Sequence, residues 1–297
     1  MLLTGCVRGA NHRDKNLPCQ DASLAGIHYY KGYPYVLLAV ADGHGAGSYT
    51  RSELGAHFAV RAAAEAAARW VVFAVDCLEK QPADWLDNVR TEFSQRFVRH
   101  LRQTWEANVT GHLAAFPMQP AASGVEALKP YGTTVALAVV FAGQLFAGAI
   151  GDSTLFLVRE EAGAGTAADL LAGAKADGLG LATDSLASAD AVYKWKHKML
   201  PLAETRMVLA STDGFKDSLA DPLKTLADLQ HDTEAKGFAW LEGRLDGFLA
   251  RLTEQGVGDD IATVFYFPPQ APLPVTAPAS AADIIETAES QAGKNYD

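Results

Sequence analysis

Two unbroken apolar runs, Tyr35 to Ala41 and Thr134 to Phe141, predict β-strands covered on both faces, and Met207 to Ala210 is a shorter run of the same kind. Leu145 to Ile150 follows the short connection Ala142-Gly143-Gln144, which predicts an antiparallel hairpin with 134–141, and Ile261 to Phe267 reads as a further strand. Two amphipathic helices are expected between the first strand and that hairpin. In one, Phe58, Ala62, Ala66 and Trp70 recur every four residues beside a charged stripe of Arg61, Glu65 and Arg69. In the other, Trp85, Val89, Phe93, Phe97, Leu101 and Trp105 repeat at the same interval, and the slow drift of a four-residue repeat winds the stripe round the helix. An aromatic stripe of this kind is core packing and not a cofactor site.

The strand ends carry the candidate chemistry. Val36 to Ala41 runs into Asp42-Gly43-His44-Gly45, Leu145 to Ile150 into Gly151-Asp152-Ser153, and Met207 to Thr212 into Asp213-Gly214. The strand at 261–267 is instead preceded by Gly258-Asp259-Asp260, so an antiparallel neighbour brings its leading carboxylate to the same edge. Carboxylates gathered in this way raise one another's pKa and resist ionising together, a conflict that a hard divalent cation relieves. Mg²⁺ and Mn²⁺ prefer all-oxygen shells and keep several waters, which suits carboxylates contributed by distant segments. The glycine beside Asp42 lets the backbone approach an ion closely, so the Gly43 carbonyl is a candidate ligand. Taken singly, Asp-Gly is first of all a turn dipeptide, and only the set as a whole points to a metal site.

Composition narrows the partners. The 297 residues are 49% hydrophobic and 20% charged, with a formal charge of −10 and a pI near 5.3, so no basic field points to nucleic acid. Cys6, Cys19 and Cys77 are too few and too scattered for a disulfide framework, and no C-x-x-C pair suggests zinc or redox chemistry. The most apolar segment, Ala56 to Leu78, is interrupted by Arg61, Glu65, Arg69 and Asp76, which argues against a membrane span. A cytoplasmic monomer is expected.

Six blocks now acquire meaning from their order: Gln20-Asp21-Ala22, Ala41-Asp42-Gly43-His44-Gly45, Gly132-Thr133-Thr134, Gly151-Asp152-Ser153, Ser211-Thr212-Asp213-Gly214-Phe215 and Asp260-Ile261-Ala262-Thr263. Together they resemble the successive motifs of the metal-dependent protein Ser/Thr phosphatases of type 2C (PPM), bacterial-type branch. The resemblance implies an α+β fold, a four-layer α/β/β/α sandwich of two antiparallel sheets flanked by helices, with residues 1–267 as the catalytic domain. It implies two Mn²⁺ or Mg²⁺ ions and a weaker third. Asp42 would bridge the pair, Gly43 would supply a carbonyl, and Asp213 and Asp260 would complete one ion. Asp21 would serve the other ion, Gln20 would orient its waters, and Asp152 would join Asp213 at the third. His44 resembles the general acid that protonates the departing serine or threonine alkoxide after attack by a hydroxide shared between the metals. The substrate would be a phosphorylated protein, with an opposing Ser/Thr kinase.

Departures from the family pattern limit this reading. The first block has Gln20 where relatives usually have glutamate, and Asn16 stands where many carry a phosphate-binding arginine. Arg8, at the end of the first expected strand, is the first substitute because a guanidinium matches phosphate bidentately, and His12 is the next. Asp14 competes with Asp21, and Asp259 with Asp260; counting back three residues from Thr263 selects Asp260. These departures also motivate an alternative, a weak or inactive pseudophosphatase that binds phosphoproteins. A cysteine-based phosphatase and a P-loop protein lack their motifs, and a calcium scaffold would gather its aspartates in one local loop.

Residues 159–200 form a variable, flap-like insertion in this reading, with Ala- and Gly-rich Glu160 to Asp177 mobile and available for substrate selection. Lys194, Lys196 and Lys198 alternate with Trp195, His197 and Met199, as an edge strand with protective lysines or as a site for an acidic phosphopeptide. Residues 268–297 are Pro/Ala-rich and read as a disordered tail, with one short helix conceivable at Ala281 to Gln291.

Overall fold

The computed structural model describes residues 1–45, 47–118, 123–161, 164–172 and 183–269. The chain opens with β1 (Leu2–Val7), α1 (Ala10–Asp14), β2 (Asp21–Tyr30) and β3 (Tyr33–Asp42). Helices α2 (Ser52–Lys80), α3 (Trp85–Glu92), α4 (Val98–Ala115) and α5 (Val125–Leu128) come next. The middle of the chain gives β4 (Val135–Phe141), β5 (Gln144–Ile150), β6 (Thr154–Glu161), β7 (Ala164–Asp169), β8 (Lys196–Pro201) and β9 (Thr205–Ser211). The last elements are α6 (Asp213–Asp217), α7 (Pro222–Lys236), α8 (Phe238–Glu242), α9 (Leu245–Gln255) and β10 (Ile261–Tyr266).

The strands form two five-stranded sheets, ordered β2-β3-β4-β5-β8 and β1-β10-β9-β6-β7, and every pairing is antiparallel. The unbroken apolar runs arise because both faces of the central strands are covered. On β3, Leu37, Ala39 and Ala41 face α2 to α4, whereas Val36, Leu38 and Val40 face the other sheet. On β10, Ala262 and Val264 meet that inter-sheet layer, while Ile261 and Phe265 pack beneath α7 to α9. The result is the expected four-layer α/β/β/α sandwich. Small side chains, among them Ala136, Ala138, Ala147 and Ala210, sit between the sheets.

The helical repeats are core-facing, as their spacing predicts. Ala62, Ala66 and Trp70 are buried and Phe58 half-buried, and the whole series from Trp85 to Trp105 is buried. The four-residue repeat is reconciled with a 3.6-residue helix by a π-helical segment at Phe93–Phe97, between α3 and α4. Its wider turn absorbs part of the phase drift that the sequence pattern accumulates.

Gly55 lets α2 approach the chain at Tyr131 closely. A Cβ there would overlap the Tyr131 carbonyl, and the Gly55 carbonyl accepts a 3.0 Å hydrogen bond from Trp105 Nε1. Gly55→Ala should therefore lower the melting temperature by roughly 5 °C, since overpacking outweighs alanine's better helix propensity. An unchanged or raised melting temperature in a calorimetric scan would contradict that packing.

The stretch read as a mobile insertion is corrected in part. Thr154–Glu161 and Ala164–Asp169 pair antiparallel as β6 and β7, residues 162–163 lying outside the described residues, and Leu170 is buried between the sheets. The small residues that suggested mobility instead admit α7: a Cβ on Gly165 would stand 3.1 Å from Gln230 Oε1. The remainder of that stretch, residues 173–182, lies outside the described residues, as do residues 270–297 with the conceivable helix at Ala281 to Gln291. β8 is an edge strand paired only with β5 among the described strands. Lys196 Nζ donates to the Gly151 carbonyl at 3.0 Å, and the Trp195 ring stacks on Phe97. Among the described residues, no helix is long and apolar enough to cross a membrane.

Candidate metal centre

The sheet edges bring the aspartates together. Asp42 closes β3 opposite Asp21 at the start of β2, the two being register partners. Gly151, with φ +100, turns the chain after β5 and sets Asp152 at the same end. From the other sheet, β9 delivers Asp213 through Thr212, and the antiparallel β10 starts immediately after Asp259 and Asp260. A cleft of about 420 Å³ is lined by Asp42, Gly43, His44, Asp152, Asp213 and Asp259, with Gln20, His12, Gly45, Tyr49, Thr183 and Asp260 completing the wall; Asp21, buried opposite Asp42, is not part of that lining.

One carboxylate oxygen from each of Asp42, Asp152 and Asp213 lies within 4.8 Å of the others. No lysine or arginine lines the cleft among the described residues. Burial, followed by the charges of Asp21, Asp213, Asp152 and Asp259, holds the Asp42 carboxyl well above the usual carboxylate range. Asp21 is raised likewise, first by burial, against a hydrogen bond from Thr212 that lowers it. Asp213 is pushed up to about 6 by burial and then by Asp152 and Asp259. Asp21 Oδ2, Asp152 Oδ1 and Gln20 Oε1 are buried without a hydrogen-bond partner. Uncompensated oxygens in this arrangement fit hard divalent cations and would be costly to leave ionised without them.

Asp42 is held in place through its backbone, and its carboxylate meets that of Asp213. Its carbonyl accepts from Thr134 N and Thr133 Oγ1, both at 2.8 Å, and its N–H donates to Thr134 Oγ1 at 3.1 Å. Thr134 Oγ1 in turn pairs with Ser153 Oγ at 2.8 Å, linking this frame to the Asp152 turn. Gly43 donates to the Gln20 carbonyl at 3.1 Å, and a Cβ at that position would come within 2.6 Å of the same oxygen, so only glycine fits. The positioning work of Thr133, Thr134 and Ser153 was not read from the sequence, although all three lie within motif blocks. Thr183, which donates to Asp152 Oδ2 at 2.8 Å, and Ser52, which accepts from Gln20 Nε2 at 2.7 Å, lie outside every block.

Several expected roles shift. The Asp260 carboxylate is already engaged: Oδ1 accepts from Gly9 N at 2.6 Å, and Oδ2 accepts from Gln20 N at 2.6 Å and meets His12 Nδ1 at 2.7 Å. Asp259, exposed on the cleft wall, accepts only the Asp260 N–H at Oδ1 among the described contacts. Arg8 does not line the cleft; its carbonyl accepts from Arg13, which pairs with Glu254. His12 does line it. Asp14 is exposed at the end of α1, away from the cleft lining. His44 lines the cleft beside Tyr49 with Nε2 buried and unpartnered. Burial lowers its pKa, with Asp152 acting in the opposite direction, so these surroundings favour the neutral imidazole.

Comparison with known proteins agrees with this fold. The family described as protein phosphatase 2C matches residues 8–250. A bacterial serine phosphatase superimposes with a TM-score of 0.52 at 15% identity, over 92% of this chain and 99% of its own. Serine/threonine phosphatase Stp1 from Staphylococcus aureus gives a TM-score of 0.54 at 15% identity, over 90% of this chain and 94% of its own. Serine-threonine phosphatase 2C from Toxoplasma gondii gives 0.51 at 12% identity, over 90% and 99%. No curated protein matches the sequence.

Proposed function

Since the chain belongs to the protein phosphatase 2C family of protein serine/threonine phosphatases, we propose that its carboxylate cleft hydrolyses phosphoserine and phosphothreonine monoesters with the aid of Mn²⁺ or Mg²⁺. The observation that carries this reading is the approach of Asp42, Asp152 and Asp213 oxygens to within 4.8 Å of one another in a cleft that no lysine or arginine lines among the described residues. Asp42, Asp152 and Asp213 would hold the ions, with Asp21 and the Gly43 carbonyl as further donors and Asp259 in the place first given to Asp260. Divalent ions at such a site lower the pKa of bound water and neutralise charge on the phosphoryl oxygens. Gln20, anchored to Ser52 and with Oε1 unpartnered on the cleft wall, would orient metal-bound water. His12 is the phosphate-facing group in preference to Arg8, since it alone of the two lines the cleft.

His44 is the proposed proton donor to the leaving alkoxide. Burial disfavours its charged form, but an arriving phosphate dianion acts the other way. Replacement by glutamine should cost phosphothreonine-peptide turnover about 10²-fold and aryl phosphate turnover less than about 10-fold, because a phenolate leaves without much help. Equal losses on both substrates would remove His44 from that role.

The pseudophosphatase reading is favoured by one observation, the absence of a cleft arginine among the described residues. Hydrolysis of p-nitrophenyl phosphate and a phosphothreonine peptide in Mn²⁺, Mg²⁺ or chelator separates the two. Turnover dependent on metal is expected. Mn²⁺ binding without turnover would support the binding protein, and equal turnover in chelator would overturn the metal mechanism.

A further inference from the structure

Two cysteines that looked unrelated in the sequence meet beside the carboxylate cleft. Cys6, exposed on β1, and Cys19, half-buried just ahead of β2, have their Sγ atoms 3.7 Å apart. Both thiols also reach the Asp21 carbonyl, at 3.7 Å from Cys6 and 3.8 Å from Cys19. Cys77 lies apart from them on α2.

The backbone immediately after Cys19 is part of the frame of the cleft. Gln20 N donates to Asp260 Oδ2 at 2.6 Å, and the Gln20 carbonyl accepts from Gly43 N at 3.1 Å. The segment between the two cysteines contains α1, where His12 contacts Asp260. A disulfide bond is about 2 Å long, so joining sulfurs now 3.7 Å apart requires an approach of roughly 1.7 Å. That movement is applied one residue before Gln20 and two before Asp21.

We propose that Cys6 and Cys19 are an oxidisable dithiol, a modification site for peroxide whose closure to a disulfide displaces the Gln20-Asp21 backbone and weakens the carboxylate cleft. The site itself stands on the thiol geometry, whereas the loss of activity rests on the phosphatase reading. The exposed Cys6 thiolate attacks one peroxide oxygen, the O–O bond breaks, and the departing hydroxide takes a proton to become water. Cys19 sulfur then attacks the Cys6 sulfenic acid, displacing its oxygen as a second water. Two thiols and one hydrogen peroxide thus give one disulfide and two waters, and a dithiol reductant restores the pair.

The test uses the full chain and its Cys6→Ser and Cys77→Ser variants, each treated with hydrogen peroxide and then digested without reductant. Mass spectrometry should find a Cys6–Cys19 cross-linked peptide, two hydrogens lighter, in the wild type and Cys77→Ser but not in Cys6→Ser. Phosphatase turnover should fall at least fivefold in the first two proteins, return with dithiothreitol, and persist in Cys6→Ser. The rise in melting temperature on adding Mn²⁺ should shrink when the cross-link is present, a readout that needs no turnover. Oxidation only to sulfinate or sulfonate on single cysteines would overturn the proposal. So would a cross-link that leaves both turnover and the Mn²⁺ response unchanged. If every form lacks turnover but the Mn²⁺ response tracks the cross-link, the phosphatase reading fails and the dithiol site stands.

Discussion

Asp42→Asn should reduce turnover of p-nitrophenyl phosphate in Mn²⁺ by about 10³-fold, because a metal's charge stabilisation is worth several kcal/mol and each ~1.4 kcal/mol is tenfold in rate. The substitution is nearly isosteric, and the backbone bonds from Thr133 and Thr134 that position residue 42 do not involve its carboxylate. The fold should survive. In chelator the variant should even melt higher than the wild type above neutral pH. It removes a buried carboxyl whose ionisation is opposed by burial and by Asp21, Asp213, Asp152 and Asp259. Activity and metal-free stability therefore move in opposite directions, a pattern that general misfolding does not produce. Wild-type turnover in the variant would dismiss Asp42 as a metal ligand.

Raising the pH from about 5 to 8 in chelator should destabilise the protein, and Mn²⁺ should reverse the loss. Asp213 has its pKa raised from 3.8 to about 6 in the fold, so the folded state holds this proton more tightly than the unfolded chain does. Its favourable contribution is complete below 3.8 and is lost as pH rises through about 6. The whole shift corresponds to roughly 3 kcal/mol, of which about 1.4 kcal/mol falls above pH 5, and the raised carboxyls of Asp42 and Asp21 act in the same direction. Free Mn²⁺ at about 100 times its dissociation constant restores ~2.7 kcal/mol. Differential scanning calorimetry at pH 5, 6, 7 and 8, with and without Mn²⁺, measures both effects. A melting temperature in chelator that is flat or rising across this interval would contradict the carboxylate cluster.

These expectations rest on strands that the sequence made legible because of how they are covered. The runs at 35–41 and 134–141 are apolar at every position since one face meets helices and the other meets a second sheet. The hairpin at Ala142-Gly143 was legible from its short connection, and both residues have positive φ. The β6–β7 pair was not: its Ala and Gly residues carry a weak local signal, and Gly165 leaves the space that Gln230 of α7 fills.

At the site, the sequence by itself determined which side chains stand at strand ends, since chain order and hydrophobic period fix where each strand stops and which residue comes next. Asp42, Asp152 and Asp213 were identifiable on that basis and do come together. The tertiary structure alone decided what each group faces. Counting from Thr263 selected Asp260, yet the fold satisfies that carboxylate with Gly9, His12 and Gln20, and Asp259 stands beside it on the cleft wall. Arg8 was favoured for its chemistry but lies off the cleft lining, and Cys6 and Cys19, set apart as scattered, are in contact. Such contacts join β1, β2 and β10 across long stretches of chain, so they depend on how the sheets pack and not on the periodicity within any one segment.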